Sequence, residues 1–167
     1  NLALDIFNSG DKKNRLAGRK VSLSNLGRIE VKIKNYDEAL DYFKEALSVL
    51  ENSTRFIAFK KAQEKNKIVY EGAAIGVASQ HHLIASLFLK WGQYDLALEE
   101  CFIANSILNI IIEKSELKIN HSSIIRAKKN LGENLSLQTS INIKLKKFEE
   151  ALVQSRTASQ LLKNWPY

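Results

Sequence analysis

Residues 25–50, NLGRIEVKIKNYDEALDYFKEALSVL, read as a helix, a tight turn and a second helix. Apolar or small residues at Leu23, Leu26, Gly27, Ile29 and Val31 lead into the break Lys34-Asn35-Tyr36. Beyond it, Ala39, Leu40, Phe43, Ala46, Leu47 and Leu50 recur at the spacing of one helical face. Small residues in both halves, Gly27 and Ala39, let two backbones approach closely, as an antiparallel helix pair requires. The stretch predicts a helical hairpin.

Two later stretches repeat it. Tyr36, Tyr94 and Phe148 share a column, as do Asp37, Asp95 and Glu149; Ala39, Ala97 and Ala151; Leu40, Leu98 and Leu152; and Ala46, Ala104 and Ala158. Before the turns, Ile29, Leu87 and Ile141 correspond, then Val31, Leu89 and Ile143, then Ile33, Trp91 and Leu145. Ala97 follows Ala39 by 58 residues and Ala151 follows Ala97 by 54. Two helices of roughly 25 residues, each about 37 Å long, fill such an interval. The predicted helices are 11–34, 37 to about 65, 68–91, 95–117, 122–146 and 148–164, giving three hairpins over 11–65, 68–117 and 122–164. The second helix is expected to run unbroken past Leu50 through Phe56, Ile57 and Phe59. Asn1–Asn8 read as the end of a preceding helix, closed by Gly10. The single proline, Pro166, leaves long helices uninterrupted, and no Asn-Gly or Asp-Gly hairpin signal argues for strands. The fold class is all-α.

Leu26-Gly27 followed by the Tyr36, Ala39, Phe43, Ala46 series resembles the tetratricopeptide repeat (TPR). The intervals exceed its usual 34 residues, so the resemblance is to an extended-helix variant. It covers residues 11–165 and implies a right-handed solenoid of long antiparallel helical hairpins. Armadillo-like helix pairs and an ordinary bundle are the alternatives. The third hairpin departs from the pattern, with Gln138 and Thr139 in the places of Leu26 and Gly27 and Ser155 in that of Phe43, so looser packing is expected there. The second departs at His81 and Cys101.

Twenty-five basic against 18 acidic residues give a net charge of +7, which favours acidic partners without naming one. The basic residues are scattered rather than massed with aromatics, which disfavours a nucleic-acid groove. One cysteine excludes an internal disulfide and suits a reducing, intracellular and cytoplasmic setting. The apolar segments 68–91 and 96–112 are interrupted by Glu71, His81 and His82, and by Glu99, Glu100, Asn105 and Asn109, so no membrane span is expected. Absence of methionine, start residue included, suggests a piece of a longer protein.

Catalytic signals are thin. His81 and His82 point about 100° apart on one helix, unlike an i, i+4 metal pair. His121 falls in an expected loop, and Cys101 lies on an apolar face in register with Phe43, as a buried thiol does. Glu99-Glu100 and Glu149-Glu150 sit near helix starts, where they complement the macrodipole. Phosphate loop, dinucleotide fingerprint and nucleophile elbow are all missing. A non-enzyme without cofactors, metal or small-molecule substrate is expected.

The resemblance implies a concave face lined by the first helix of each hairpin, holding short segments of partner proteins. The positions carried over are Ser24, Arg28, Val31 and Lys32; His82, Ser86, Leu89 and Lys90; and Ser136, Ser140, Ile143 and Lys144. Apart from Asn25, the chain does not supply the carboxylate clamp of the chaperone-binding members. Lys32, Lys90 and Lys144 share one column, which suits either an acid-binding stripe or stabilisation of three helix C-termini. The expected function is a protein-interaction scaffold or adaptor within a larger multiprotein complex, binding a protein or an acidic peptide. The alternative is a regulatory module that senses a peptide and controls an effector.

Overall fold

The structure is a computed structural model that describes residues 12–65, 70–113 and 121–163. Within these lie seven helices and no strand: α1 (Lys12–Lys32), α2 (Tyr36–Glu51), α3 (Thr54–Glu64), α4 (Glu71–Trp91), α5 (Tyr94–Glu113), α6 (His121–Lys144) and α7 (Phe148–Lys163). The helical reading of Asn1–Asn8, the Gly10 cap and the expected helix ends at Ile68, Leu117 and Asn164 lie outside the described residues.

Helices α1 and α2, α4 and α5, and α6 and α7 pair as sequential antiparallel hairpins. Adjacent hairpins meet through α2 against α4 and α5 against α6, and α4 also touches α6. The fold is all-α, consistent with a TPR-like helical repeat.

One predicted helix is two. The expected run from Asp37 to Lys65 breaks at Asn52-Ser53, where Ser53 adopts φ −69°, ψ 138° and its hydroxyl accepts the Phe56 N–H at 3.2 Å. This is an N-cap, which satisfies a backbone donor that would otherwise lack a partner at a new helix start. The short α3 so created buries Phe56 and Phe59 in a cluster with Ala74, Ile75 and Ala78 of α4. His121, expected in a loop, begins α6.

The three turns share one backbone conformation. Lys34, Gly92 and Lys146, one column of the repeat, have φ of 66°, 84° and 61°. In each turn the following residue reaches back to a carbonyl five positions earlier: Asn35 to Glu30 at 2.9 Å, Gln93 to Phe88 at 2.9 Å, Lys147 to Asn142 at 2.8 Å. With the bonds from Lys34, Gly92 and Lys146 to carbonyls three positions earlier, this is a Schellman closure. It ends α1 at Lys32 and α6 at Lys144, two residues before the expected ends.

Close approach is specified by size. Gly27 is buried against the Phe43 ring. One repeat on, the same two columns hold Ala85 and Cys101, both buried in one cluster. In the third hairpin they hold Thr139 and an exposed Ser155, and the tight contact is instead Gly132 against Leu162.

Between hairpins a side-chain amide recurs. Gln80 of α4 donates Nε2–H to the Phe43 carbonyl at 3.1 Å and accepts from the Ser24 hydroxyl at 3.0 Å. In the same columns one repeat later, Asn134 of α6 donates to the Cys101 carbonyl at 2.8 Å, and its Oδ1 meets His82 Nδ1 at 2.9 Å. Each amide thereby ties the first helix of one hairpin to both helices of the hairpin before. Helix α4 is long and apolar enough to cross a membrane by length and composition. Here it forms the centre of the stack, with ten residues buried, Gln80 and His81 among them.

Candidate partner-binding groove

The first helices α1, α4 and α6 frame two adjoining depressions. One, of about 250 Å³, lies between α1 and α4, with Arg28, Val31 and Lys32 on one wall and Leu83, Ser86 and Lys90 on the other. Phe43 and Leu87 also line it. The second, of about 280 Å³, spans all three first helices and reaches Ala104 and Leu108 of α5. Its polar lining comes from Lys20, Ser79, His82, Asn130, Glu133 and Asn134. Arg28 and Leu83 line both, so the two form one groove.

Of the twelve positions named from sequence, Arg28, Val31, Lys32, Ser86 and Lys90 meet in the first depression and His82 lines the second. Ser24 is buried, its hydroxyl committed to Gln80. Leu89 is half-buried and packs into the core beside the turn. Ser136, Ser140, Ile143 and Lys144 are exposed on α6, and none lines either depression. The Ser136 and Ser140 hydroxyls donate to carbonyls one turn earlier, at Gly132 and Ser136.

The second depression is lined by two cations, Lys20 and Arg28, and one carboxylate, Glu133. Lys20 is half-buried, and its burial, with the Arg28 guanidinium nearby, holds its pKa below the ordinary lysine value. Among the described residues neither Lys20 nor Arg28 has a carboxylate within ion-pair distance. Glu133 stands on α6, across the depression from α1, and lies 3.7 Å from Lys129. Lys20 is thus a cation partly stripped of water, which strengthens its attraction for an anion over that of a fully hydrated pair.

Burial, and then the adjacent Glu100, push the Cys101 thiol up to about 12, so it is a neutral core group at neutral pH. His81 Nδ1 lies 2.6 Å from Glu100, and no three His, Cys, Asp or Glu side chains among the described residues converge as a metal site.

Lys20, Ser79, Leu83, Asn130 and Asn134 were not anticipated as groove residues. Lys20 shares its column with Ala78 and Gly132, so the repeat carries no signal for it. Gln80 and Asn134 do share a column, and an amide recurring at one position of two first helices was a usable sign.

The family model of the tetratricopeptide repeat matches residues 22–51. Residues 22–51 are a tetratricopeptide repeat. The TPR match takes in the second half of α1, the Lys34 turn and all of α2, and so includes one wall of the groove. No curated protein matches the chain. TPR repeats generally mediate protein–protein interactions and are typically non-catalytic, which points to protein partners for this chain.

Proposed function

We propose that the chain is a non-catalytic interaction scaffold, an adaptor within a larger intracellular complex, that holds an acidic segment of a partner protein along the groove of α1, α4 and α6. The observation that carries this reading is the company of Arg28, Lys32 and Lys90 around an apolar floor of Val31, Leu83 and Leu87. Apolar surface supplies contact area, and cations at its rim supply orientation and rate of encounter. Lys20 and Arg28, with no carboxylate in ion-pair distance among the described residues, are the anchor for an acidic side chain.

A competing role for two of these cations is local. Lys32 and Lys90 stand in the last turns of α1 and α4, as Lys144 does in α6, where a cation contributes about 0.3 to 1 kcal/mol whatever the groove holds. The test separates the two. An array of peptides rich in Asp and Glu, beside the same peptides with Asn and Gln, is probed with wild-type chain and with Arg28→Glu/Lys90→Glu. The expected outcome is capture of acidic peptides by the wild type, weakening with added salt, and loss of capture by a variant whose circular dichroism is unchanged. Capture retained by the folded variant, or preference for the neutral peptides, overturns the reading.

A further inference from the structure

The repeat columns show which surfaces one hairpin uses to receive the next, and among the described residues no helix packs on those surfaces in the first and last hairpins. On the incoming side, Leu87 and Ile141 are 1% and 0% exposed, each clustered with the alanine that follows the preceding turn, Ala39 or Ala97. Ile29, in their column, is 55% exposed. On the receiving side, the Tyr36 ring packs against Trp91 of the following hairpin, tilted by 31° with centroids 5.8 Å apart. One repeat later, Tyr94 and Leu145 occupy these columns in one cluster. A third contact of the series would join Phe148 to the column of Trp91 and Leu145, whose first member is Ile33. Phe148 is 63% exposed and Ile33 67%.

We infer that the two ends of the stack bind one another between copies: α1 of one copy docks on α7 of a second, head to tail, continuing the register of the internal hairpin interfaces. The contact is heterologous, because the two faces differ, and a heterologous contact that does not close forms open chains of copies. The receiving end also carries the next socket for the inter-hairpin amide: Ser136 stands in the column of Ser24 and His82, and Ser155 in that of Phe43 and Cys101. In the column of Gln80 and Asn134 the incoming end carries Ser22, which is shorter and offers a single donor. The contact between copies therefore lacks the amide tie of the internal interfaces, and it is weaker than they are.

Sedimentation of the chain from micromolar to millimolar concentration tests this, with Ile33→Glu and Phe148→Glu as variants at exposed positions. The wild type is expected to grow past two copies as concentration rises, and each variant alone to remain monomeric with its helical content unchanged. An equimolar mixture of the two variants is expected to form dimers and nothing larger, because Ile33→Glu retains an intact α7 face and Phe148→Glu an intact α1 face. Ser22→Gln restores the missing amide and should strengthen association roughly three- to tenfold, the effect of one added hydrogen bond. A wild type that stays monomeric throughout, growth that stops at two copies, or a mixture that stays monomeric overturns the inference. An unchanged association constant in Ser22→Gln overturns the register.

Discussion

A Cβ added to Gly27 would lie 2.5 Å from Cε1 and 2.7 Å from Cδ1 of Phe43. No pair of non-bonded carbon atoms tolerates such a separation, so either the ring or the helix must move. The hairpin of α1 and α2 is therefore set by the absence of one methyl group. This is the contact that the Leu26-Gly27 pair and the Ala39, Phe43, Ala46 series imply, since a large ring on α2 needs a bare backbone opposite.

Gly27→Ala is expected to destabilise the chain. Overpacking costs roughly 1 to 3 kcal/mol, and the better helix propensity of alanine returns at most about 1. Gly72, in the first turn of α4, has nothing within 4 Å of its added Cβ, so Gly72→Ala should gain up to that propensity difference. Urea unfolding of the two variants checks the contrast. A Gly27→Ala chain as stable as the wild type would show that α1 and α2 adjust freely.

The recurring amide predicts that Asn134→Ala costs more than an ordinary polar truncation. Asn134 is 1% exposed and bonds the Cys101 carbonyl, Asn105 and His82. The Cys101 carbonyl keeps its helical partner, but the partly buried Asn105 Oδ1 and His82 Nδ1 lose theirs, and leaving a buried polar group unsatisfied costs roughly 1 to 3 kcal/mol. Gln80→Ala should behave alike, through the buried Ser24 hydroxyl that it leaves without its acceptor. By contrast, Asn52→Ala, at an exposed side chain, is expected to stay within about 0.5 kcal/mol of the wild type. Hydrogen exchange gives a second readout: loss of either amide should expose the interface between two hairpins before the hairpins themselves open.

The hairpins were legible because apolar period and repeated columns agree over both helices of each pair. The break at Asn52-Ser53 was not, because Phe56 and Phe59 carry the apolar series across it without a glycine or proline. The signal lay in a serine three residues before Phe56, and a lone serine is as often an ordinary surface residue. Arg28, Lys32 and Lys90 were legible as candidate groove residues because position in a first helix decides which side of a hairpin they occupy. Ser24 and His82 occupy the column that ties hairpins together. Whether a small polar group in that column meets solvent or a buried amide depends on the neighbouring hairpin.

Cys101 gives the stability a dependence on alkaline pH. Its thiol titrates near 12 in the folded chain, against an ordinary value of 9.0. Between these values the unfolded chain has lost the proton and the folded chain keeps it, so stability falls as pH rises through that window, by at most about 1.4 kcal/mol per unit. Below pH 9 the thiol is neutral in both states and contributes no slope. Cys101→Ala should therefore show a shallower decline above pH 9 than the wild type, whatever its stability at pH 7. Parallel curves from pH 7 to 10.5 would show that the thiol is not held neutral. Alkylation by iodoacetamide at pH 8 should likewise require unfolding.

The shared turn conformation makes the last prediction. Lys34, Gly92 and Lys146 occupy one column with φ between 61° and 84°, and only glycine adopts that region without a clash between Cβ and the backbone. An L-residue there costs roughly 1 to 2 kcal/mol, partly offset because glycine gives the unfolded chain more freedom, by about 0.4 to 1 kcal/mol. Lys34→Gly and Lys146→Gly should thus each raise stability by roughly 0.5 to 1 kcal/mol, on the same principles. Gly92→Ala should lose a similar amount through conformation alone, since its added Cβ meets nothing within 4 Å. The turns share no partners, so the two gains should add in the double variant. Neither lysine lines the groove, and acidic-peptide capture should be the same in the double variant as in the wild type. A loss of stability in Lys34→Gly would mean that the lysine side chain makes a contact worth more than the strain it imposes.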